Sequence, residues 1–327
     1  MLTIIGGSGF IGTRLCKRLE QSGVSFEILD KVVSKSYPEK TVLGDVRDIE
    51  SLRKGIHGDT IINLAAEHKD NVRPISLYDE VNVAGARNIC VVASEKNIKN
   101  IIFTSSVAVY GFAEPDTDES GEIHYFNDYG RTKWLAENEF RAWQEEELTT
   151  RSLVIIRPTV VFGEQNRGNV YNLLKQIASG RFVMIGRGTN KKSMAYVENV
   201  AAFIQYSLSF GTGIHLFNYI DKPDMDMNTL VHTVYSILNK KNFHVRVPYA
   251  LGLLGGYLFD FLSFITKKSF PISSIRIKKF CATTQFDTSI PRKTDFVPPV
   301  PLQNALVKTM EAEFIKPQDS EHIFYSE

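Results

Sequence analysis

An apolar run at the start of the chain ends in a glycine-rich turn. Residues 2–5 read LTII, glycine follows at positions 6, 9 and 12, and an amphipathic stretch runs from Phe10 to Gln21. A short β-branched run, a turn that glycine permits and a helical pattern are typical of a strand that passes directly into a helix. Because such a helix buries one face on a sheet, the rest of the chain must supply further strands.

Strand and helix patterns alternate through the first half of the chain. The predicted strands are nearly continuous apolar runs, which favours a parallel sheet with helices on both faces. Because crossovers between parallel strands are right-handed, we predict an α/β fold with a doubly wound parallel sheet of the Rossmann type. The predicted strands are Leu2–Ile5, Ser25–Leu29, Thr41–Leu43, Thr60–Leu64, Ile101–Thr104 and Leu153–Ile156, and the predicted helices are Phe10–Gln21, Ile49–Gly55, Tyr78–Glu95 and Tyr129–Glu146.

The pattern is looser in the second half, where helical stretches are separated by loops rich in glycine, proline and asparagine. We predict a dinucleotide-binding domain over residues 1–165, with returning elements from 190–220, and a smaller substrate-binding region over 166–327. We expect that region to cover the substrate without a core of its own. Its predicted helices are Val170–Ser179, Val197–Ser209 and Asn228–Leu238.

Composition narrows the classes of function. The chain has 327 residues with 38 Lys and Arg against 37 Asp and Glu, and a net charge of +1 gives no indication of a nucleic-acid partner. The 3 cysteines and 7 histidines form no metal-binding motif, so we expect no metal site. Because the glycine turn begins at Gly6, we expect no leader peptide and a protein on the cytoplasmic side of the membrane.

The glycine turn is a candidate site for a dinucleotide. Glycine lets the backbone approach a pyrophosphate, which the amides and dipole of the following helix attract. Asp30 ends the second predicted strand, where a carboxylate accepts hydrogen bonds from the adenine ribose and repels a 2′-phosphate. Asp30 therefore favours NAD over NADP. The adjacent Lys31 is a weaker indication in the other direction, because its positive charge suits a 2′-phosphate. The predicted contacts at the turn are Gly6, Gly9, Phe10, Ile11 and Gly12.

Two further strand ends are candidates for the same ligand. Asp45 and Val46 follow the third predicted strand, and Leu64, Ala65 and Ala66 lie at the end of the fourth. Ligands of doubly wound sheets bind at the carboxyl ends of the strands. We expect Asp45 to reach the adenine and the small alanines to leave space for the dinucleotide.

Tyr129 and Lys133 lie four residues apart on a predicted helix and therefore on one face. Tyrosine titrates at about 10 and needs a lower pKa to act as a base near neutral pH. A neighbouring ammonium and a positive nicotinamide ring both have the sign that lowers it. Ser105 and Ser106 follow the fifth strand, where a hydroxyl would bind a substrate hydroxyl. We predict Ser106, Tyr129 and Lys133 as the catalytic residues.

Six motifs occur in one order along the chain: GGSGFIG, LAA at Leu64–Ala66, VNVAGARN, SSVAVYG, YGRTK and RP at residues 157–158. Together they resemble the extended short-chain dehydrogenase/reductase family over most of the chain. The resemblance implies that Tyr129 is the acid and base, that Lys133 orients the ribose and lowers the tyrosine pKa, and that Ser106 holds the reacting hydroxyl. It also suggests a homodimer, and it adds as cofactor contacts Asn82, Ser105, Tyr129, Lys133 and Pro158.

Longer strings, such as SLYDEVNVAGARN and NIIFTSSVAVYG, are similar to one group in this family, the bacterial epimerases that act on N-acetylglucosamine-diphospho-undecaprenol. This implies NAD-dependent inversion at C4 of a lipid-linked amino sugar, for O-antigen or surface polysaccharide biosynthesis. Ser106, Asn172 and Lys192 are the implied substrate contacts. Lys192 stands where nucleotide-sugar members usually have an arginine, and lysine lacks the bidentate fork for a diphosphate.

Other functions share these motifs. A UDP-sugar 4-epimerase or a 4-keto-sugar reductase would have the same cofactor site and catalytic pair. A dinucleotide-binding protein without turnover typically lacks the tyrosine or the lysine, and both Tyr129 and Lys133 are present.

The segment 247–266 is apolar except for Asp260 and is followed by Lys267 and Lys268. Twenty apolar residues are enough to span a bilayer, but glycines and Asp260 interrupt them. A buried helical hairpin is a second interpretation. We favour a third, a helix in the membrane interface, because it fits the flanking lysines and a lipid substrate. The expected location is therefore peripheral, on the cytoplasmic face of the inner membrane.

Overall fold

The computed structural model describes residues 1–69, 72–241, 245–267, 273–316 and 323–325. Lys268, which we expected to flank the apolar segment, lies outside these ranges. The strands are β1 (Leu2–Ile5), β2 (Phe26–Asp30), β3 (Thr41–Leu43), β4 (Thr60–Asn63), β5 (Asn100–Thr104), β6 (Ser152–Pro158), β7 (Val160–Phe162), β8 (Val183–Ile185), β9 (Lys191–Tyr196), β10 (Gly213–Tyr219), β11 (Asp221–Asp226) and β12 (Val245–Val247).

Helices cover both faces of the main sheet and build most of the C-terminal region. A π-helical stretch, Asp79–Ala84, joins the third helix to the fourth, and a 3-10 turn, Val107–Tyr110, follows β5. The α-helices are α1 (Phe10–Gln21), α2 (Ile49–Gly55), α3 (Ser76–Tyr78), α4 (Gly85–Glu95), α5 (Asp128–Glu145), α6 (Asn169–Ala178), α7 (Val197–Tyr206), α8 (Met227–Ile237), α9 (Tyr249–Thr266), α10 (Ser274–Cys281), α11 (Ile290–Lys293) and α12 (Leu302–Met310).

The main sheet has seven parallel strands in the order β10-β6-β5-β4-β1-β2-β3. The strand order reverses between β1 and β4, so a crevice opens there at the carboxyl ends of the strands. The predicted doubly wound sheet is confirmed. The predicted strands and helices of the first half agree with the structure to within two residues at each end, except that the predicted helix Tyr78–Glu95 is divided between α3, the π-helical stretch and α4. The seventh strand, β10, was not predicted as a strand.

Alternating side chains of the sheet enter two separate cores, because successive residues of a strand point to opposite faces. Ile4 packs with α1 and α7, whereas its neighbour Ile5 packs with α2, α4 and α5. The same alternation holds for Ile61 and Ile62 on β4. Helices on both faces therefore bury the sheet completely, which is why its strands are almost uniformly apolar.

The C-terminal region has a core of its own, so the expectation of a cover without a core was wrong. Buried residues of α6, α8 and α12 pack together with side chains from β7, β8 and β9. A three-stranded sheet, β11-β9-β7, and a two-stranded sheet, β12-β8, carry this core. Strands of three residues, such as β7, β8 and β12, contain too few residues to show a clear periodic pattern in the sequence. Their pairing partners are also distant along the chain, so these small sheets were not predicted.

The turn between β1 and α1 is packed against backbone on two sides. Gly6 has φ +81°, and a Cβ there would lie 2.7 Å from the amide nitrogen of Ala65. A Cβ on Gly12 would lie 2.6 Å from both the Cα and the carbonyl oxygen of Gly7. Glycine at these positions is therefore a steric requirement.

We expect Gly12→Ala to destabilise the fold by about 1–3 kcal/mol, because the new methyl group overlaps backbone that has no alternative position. Urea denaturation followed by circular dichroism measures this change. Gly211→Ala is the matched control, since a Cβ at Gly211 meets nothing within 4 Å. Equal stability of the two variants would contradict the steric argument.

Candidate active site

The glycine turn presents backbone amides to the crevice. Gly9 precedes α1 as its N-cap and supplies no side-chain hydrogen bond to the first turn of the helix. The amides of that turn therefore need another acceptor, and a pyrophosphate is the acceptor that this geometry suits. Phe10 and Ile11 extend from the turn towards the C-terminal region, where the Phe10 ring lies 5.6 Å from the ring of Phe324.

Asp30 is fixed at the end of β2 beside the glycine turn. Its two carboxylate oxygens accept hydrogen bonds from the backbone amides of Ser8, at 3.0 Å, and Val32, at 3.1 Å. Burial raises its pKa, and the two amide hydrogen bonds oppose that rise. Each oxygen has a second lone pair for a ribose hydroxyl, so the predicted role fits the geometry.

The other predicted adenine contacts differ from each other in environment. Asp45 is partly exposed and bound to Arg47 at 2.7 Å, and this hydrogen-bonded ion pair holds the pKa of Asp45 below its usual range. Val46 is buried in the core, where it faces Gly85. The structure therefore leaves Asp45 at the surface of the crevice and turns the Val46 side chain away from it.

Asn82 links the loop after β4 to the catalytic helix. Its side-chain oxygen accepts from the Glu67 amide at 2.8 Å, and its nitrogen donates to the Glu67 carbonyl and to the Thr132 hydroxyl. All its hydrogen-bonding groups are thus engaged by protein, and it fixes the position of the segment containing Leu64, Ala65 and Ala66. Gly6 packs against that segment from the other side.

Tyr129 and Lys133 occupy one face of α5, as their spacing predicted. Asn127 caps the helix by accepting a hydrogen bond from the Gly130 amide at 2.9 Å. Lys133 is 2% exposed, and its Nζ lies 4.3 Å from the centre of the Phe103 ring on β5. Ser106 hydrogen-bonds Tyr129, so the three predicted catalytic residues lie together at the carboxyl end of β5.

Burial shifts the pKa values of this pair in opposite directions. Burial lowers the pKa of Lys133 to about 7, and the negative charge of Glu137 opposes that fall. Burial raises the pKa of Tyr129 to about 12, and the hydrogen bond from Ser106 opposes that rise. The protein alone therefore favours the neutral phenol, and a further positive charge in the crevice is needed to favour the phenolate.

A buried polar network beneath the pair was not identified from the sequence. Glu137 lies one helical turn beyond Lys133 and is fully buried. It accepts hydrogen bonds from Arg157 at 2.6 and 2.8 Å and from Ser105 at 2.5 Å. Arg157 also donates to the hydroxyl of Tyr110 at 2.6 Å. The four-residue spacing from Lys133 to Glu137 was the signal that would have revealed it.

The predicted Ser105 and Pro158 contacts lie at strand ends beside this network. The Ser105 hydroxyl donates to the Glu137 carboxylate at 2.5 Å. Pro158 is the buried last residue of β6, paired in register with Tyr219 of β10. Both residues therefore shape the floor of the site through packing and backbone.

The predicted substrate residues Asn172 and Lys192 lie in the C-terminal region. Asn172 is exposed on α6. The Lys192 ammonium donates to the carbonyl oxygens of Lys279, at 3.0 Å, and Ala282, at 2.7 Å, and thus caps the end of α10. Burial lowers its pKa to about 8. Within the described ranges, no group of three or more His, Cys, Asp or Glu side chains is arranged to hold a metal ion.

Residues 2–218 match the family described as "NAD dependent epimerase/dehydratase family". The chain belongs to this family. It is 52% identical to N-acetyl-alpha-D-glucosaminyl-diphospho-ditrans,octacis-undecaprenol 4-epimerase of Escherichia coli O157:H7, over 99% of this chain and 98% of that protein. It is 25% identical to UDP-glucose 4-epimerase of Vibrio cholerae, over 95% of this chain and 94% of the relative.

Solved structures of the same fold include MoeE5 in complex with UDP-glucose and NAD, with TM-score 0.73, 18% identity and coverage of 95% of this chain and 97% of that one. UDP-glucose 4-epimerase of Thermus thermophilus in complex with NAD has TM-score 0.69, 16% identity and coverage of 97% and 99%. The predictions of the family, the doubly wound fold and NAD as cofactor are confirmed. The glycine turn, Asp30, Tyr129 and Lys133 remain the predicted contacts of this cofactor, and their positions in the crevice suit it.

We expect Lys133→Met to stabilise the folded protein while removing activity, because it replaces a buried charge by an apolar side chain of similar length. Lys133 titrates at about 7 when folded and at its ordinary 10.5 when unfolded. The folded state therefore binds fewer protons between these values, and wild-type stability rises with pH across this window. The gain from Lys133→Met should be largest at pH 6 and smaller at pH 9.

Urea denaturation at pH 6, 7.5 and 9 measures this difference, with the exposed Lys54→Met on α2 as control. A gain that grows with pH, or a loss of stability at pH 6, would show that burial does not dominate the free energy of this lysine.

Proposed function

We propose that the protein inverts C4 of N-acetylglucosamine-diphospho-undecaprenol to give the N-acetylgalactosamine form, for O-antigen or surface polysaccharide assembly. The observation that carries the proposal is the 52% identity to the Escherichia coli epimerase, which extends over nearly all of both chains. The hydrogen-bonded Ser106–Tyr129 pair and the buried Lys133 supply the acid–base chemistry that such an inversion requires.

In this mechanism, Tyr129 accepts the proton of the 4-hydroxyl, and Ser106 hydrogen-bonds the same oxygen as it becomes a carbonyl. The chemistry that NAD supplies when bound is reversible hydride acceptance beside a positive ring. Lys133 holds positive charge under the site and, by the family resemblance, orients the ribose. Once the 4-keto sugar has turned over in the pocket, Tyr129 would return the proton to the same oxygen, and the hydride that bound NAD would hold could return to the opposite face. No net redox change results.

A UDP-sugar 4-epimerase is the second candidate, supported by the Vibrio cholerae relative at 25% identity. The far higher identity to the lipid-linked enzyme favours the first candidate. A 4-keto-sugar reductase would consume reduced cofactor stoichiometrically, which an epimerase does not.

We expect Tyr129→Phe to lower kcat by about 100-fold or more while NAD binding is retained, because general acid–base catalysis contributes 10²–10⁴-fold. The purified protein is offered lipid-diphosphate-linked and UDP-linked N-acetylglucosamine separately, and C4 inversion is followed by NMR. Tyr325→Phe, at a 65% exposed tyrosine outside the proposed site, is the control. Wild-type turnover of the UDP-sugar alone would reject the lipid-linked proposal, and unchanged turnover by Tyr129→Phe would reject the proposed base.

We further propose that the protein docks peripherally on the cytoplasmic face of the inner membrane through α9. This helix is the described segment that is long and apolar enough to cross a membrane. It buries only Gly256, and the exposed fractions of Leu254, Phe261 and Phe264 are 66%, 60% and 82%. A buried hairpin is therefore ruled out for this segment.

One stripe of α9 is occupied by protein, which favours the interface over a full span. A Cβ on Gly252 would lie 2.6 Å from Ile185, and one on Gly256 would lie 2.8 Å from the Cα of Ser274. Asp260, one turn further along, accepts a hydrogen bond from the Ser274 amide at 3.1 Å. The stripe of Gly252, Gly256 and Asp260 thus faces the protein, and the large apolar side chains are left for lipid, as we propose for a helix in the membrane interface.

We expect the triple substitution Leu254→Ser, Leu258→Ser and Phe261→Ser to release the protein from vesicles of anionic bacterial lipids. The changed side chains are exposed, so the fold should be retained. Flotation of vesicles with bound protein measures this, with the exposed Leu148→Ser after α5 as control. A wild-type protein that stays in solution would contradict membrane docking. If the wild type instead forms a dimer through α9, the exposed face of this helix would be assigned to a protein interface and not to the membrane.

A further inference from the structure

Three exposed aromatic residues, Phe112, Tyr125 and Phe126, form a surface that we call the aromatic rim. Phe112 lies 56% exposed and Phe126 48% exposed, and their rings meet edge to face with centroids 4.7 Å apart. The two rings contact each other outside the core, so their apolar surface remains exposed to water. A contiguous exposed apolar surface is typical of a site that binds a ligand or a partner.

The rim borders the catalytic residues along the chain and in space. Phe126 lies three residues before Tyr129, and Phe112 lies six residues after Ser106. The two segments are held together by the His124 amide, which donates to the Val109 carbonyl at 3.1 Å. Gly111, at φ +63°, permits this contact because a Cβ there would overlap the His124 carbonyl. The rim therefore lies next to the start of α5, and we infer that it forms the entrance to the catalytic site.

A cation from the C-terminal region stands over the rim. The Nζ of Lys279, near the end of α10, lies 5.1 Å from the centre of the Phe126 ring. Lys192 fixes the backbone at this point by donating to the Lys279 carbonyl. In the part of the chain that the structure describes, the exposed Lys279 has no carboxylate partner within 4.0 Å, so its charge is available to an anion at the entrance.

The same helix connects the rim to α9. Lys278 Nζ lies 5.6 Å from the centre of the Tyr257 ring on α9, while Ile277 packs into the interface of the two helices. From the catalytic tyrosine outward, the surface thus changes from acid–base groups to aromatic rings with a cation and then to an exposed apolar helix.

We propose that this surface binds the carrier half of the substrate, a prenyl diphosphate, with the diphosphate at Lys279 and the first isoprene groups on Phe112 and Phe126. This inference rests on the proposed function, since it assigns the carrier of the same substrate. The order sugar, diphosphate and prenyl chain in the substrate matches the order of chemistries along the surface. A diphosphate also occurs in a UDP-sugar, but half-exposed phenyl rings beside a long apolar helix suit a hydrocarbon chain that continues into lipid.

The test compares three substrates of the full-length protein with NAD: N-acetylglucosamine-diphospho-undecaprenol in detergent, N-acetylglucosamine 1-diphosphate without a lipid, and UDP-N-acetylglucosamine. The double variant Phe112→Ser and Phe126→Ser is expected to raise KM for the lipid-linked sugar about tenfold, from the loss of apolar contact. It should leave KM for N-acetylglucosamine 1-diphosphate unchanged. Lys279→Ala should raise KM for both of these substrates, and Lys279→Arg should restore it.

Val297→Ser, at a position 78% exposed, and Lys54→Ala are the surface controls, and circular dichroism checks that each variant folds. If the double variant keeps the wild-type KM for the lipid-linked sugar, the rim assignment is overturned while the proposed function stands. A KM for UDP-N-acetylglucosamine that rises as much as that for the lipid-linked sugar would assign the rim to a nucleotide instead. If wild type turns over only the UDP-sugar, both the function and this assignment fail.

Discussion

A lysine ammonium buried in the interior is the constraint on which the site depends. Placing Lys133 among apolar side chains strongly disfavours its charge, and the protein offsets this with the face of Phe103 and the carboxylate of Glu137. Glu137 is itself fully buried and would be unstable without Arg157. The compensation therefore crosses from α5 to β6, and the position of the catalytic helix is coupled to the centre of the sheet.

This network explains why strands that are remote along the chain belong to one site. Arg157 donates to Tyr110, and the Tyr110 hydroxyl in turn donates to Asn218 on β10 at 2.9 Å. The backbone amide of Asn218 also donates to the carboxylate of Glu119 at 2.7 Å. Replacing one partner of such a chain leaves its neighbours buried without compensation, so the floor of the site is rigid.

Local patterns predicted the parts of the structure whose causes are local. Glycine spacing predicted the β1–α1 turn, and the four-residue spacing of Tyr129 and Lys133 predicted that they share a face. Alternating apolar strands and helices predicted the doubly wound sheet. The glycine turn and the tyrosine–lysine pair each lie within about a dozen residues, and their physical cause acts over the same distance.

The parts that were missed depend on contacts between distant residues. β10 becomes the seventh strand because it pairs with β6, some sixty residues earlier, and its own sequence is only partly apolar. Lys192 was interpreted through its place in a motif, but the end of α10, about ninety residues away, determines what its ammonium contacts. The C-terminal core likewise forms where α6, α8 and α12 pack together. The sequence of each helix predicts an apolar face but does not identify the elements that pack against it.

The large apolar side chains of α9 are exposed among the residues that the structure describes. A soluble protein gains free energy by burying such a face, and here the small residues Gly252 and Gly256 bring the polar stripe of the helix against the protein and direct the large apolar side chains outward. The same packing on α10 places Lys278 and Lys279 between this face and the catalytic entrance. Under the proposed function, this polarity would suit a substrate whose sugar is in water and whose carrier is in lipid. The contact between α9 and α10 would therefore align the catalytic pocket with the membrane surface.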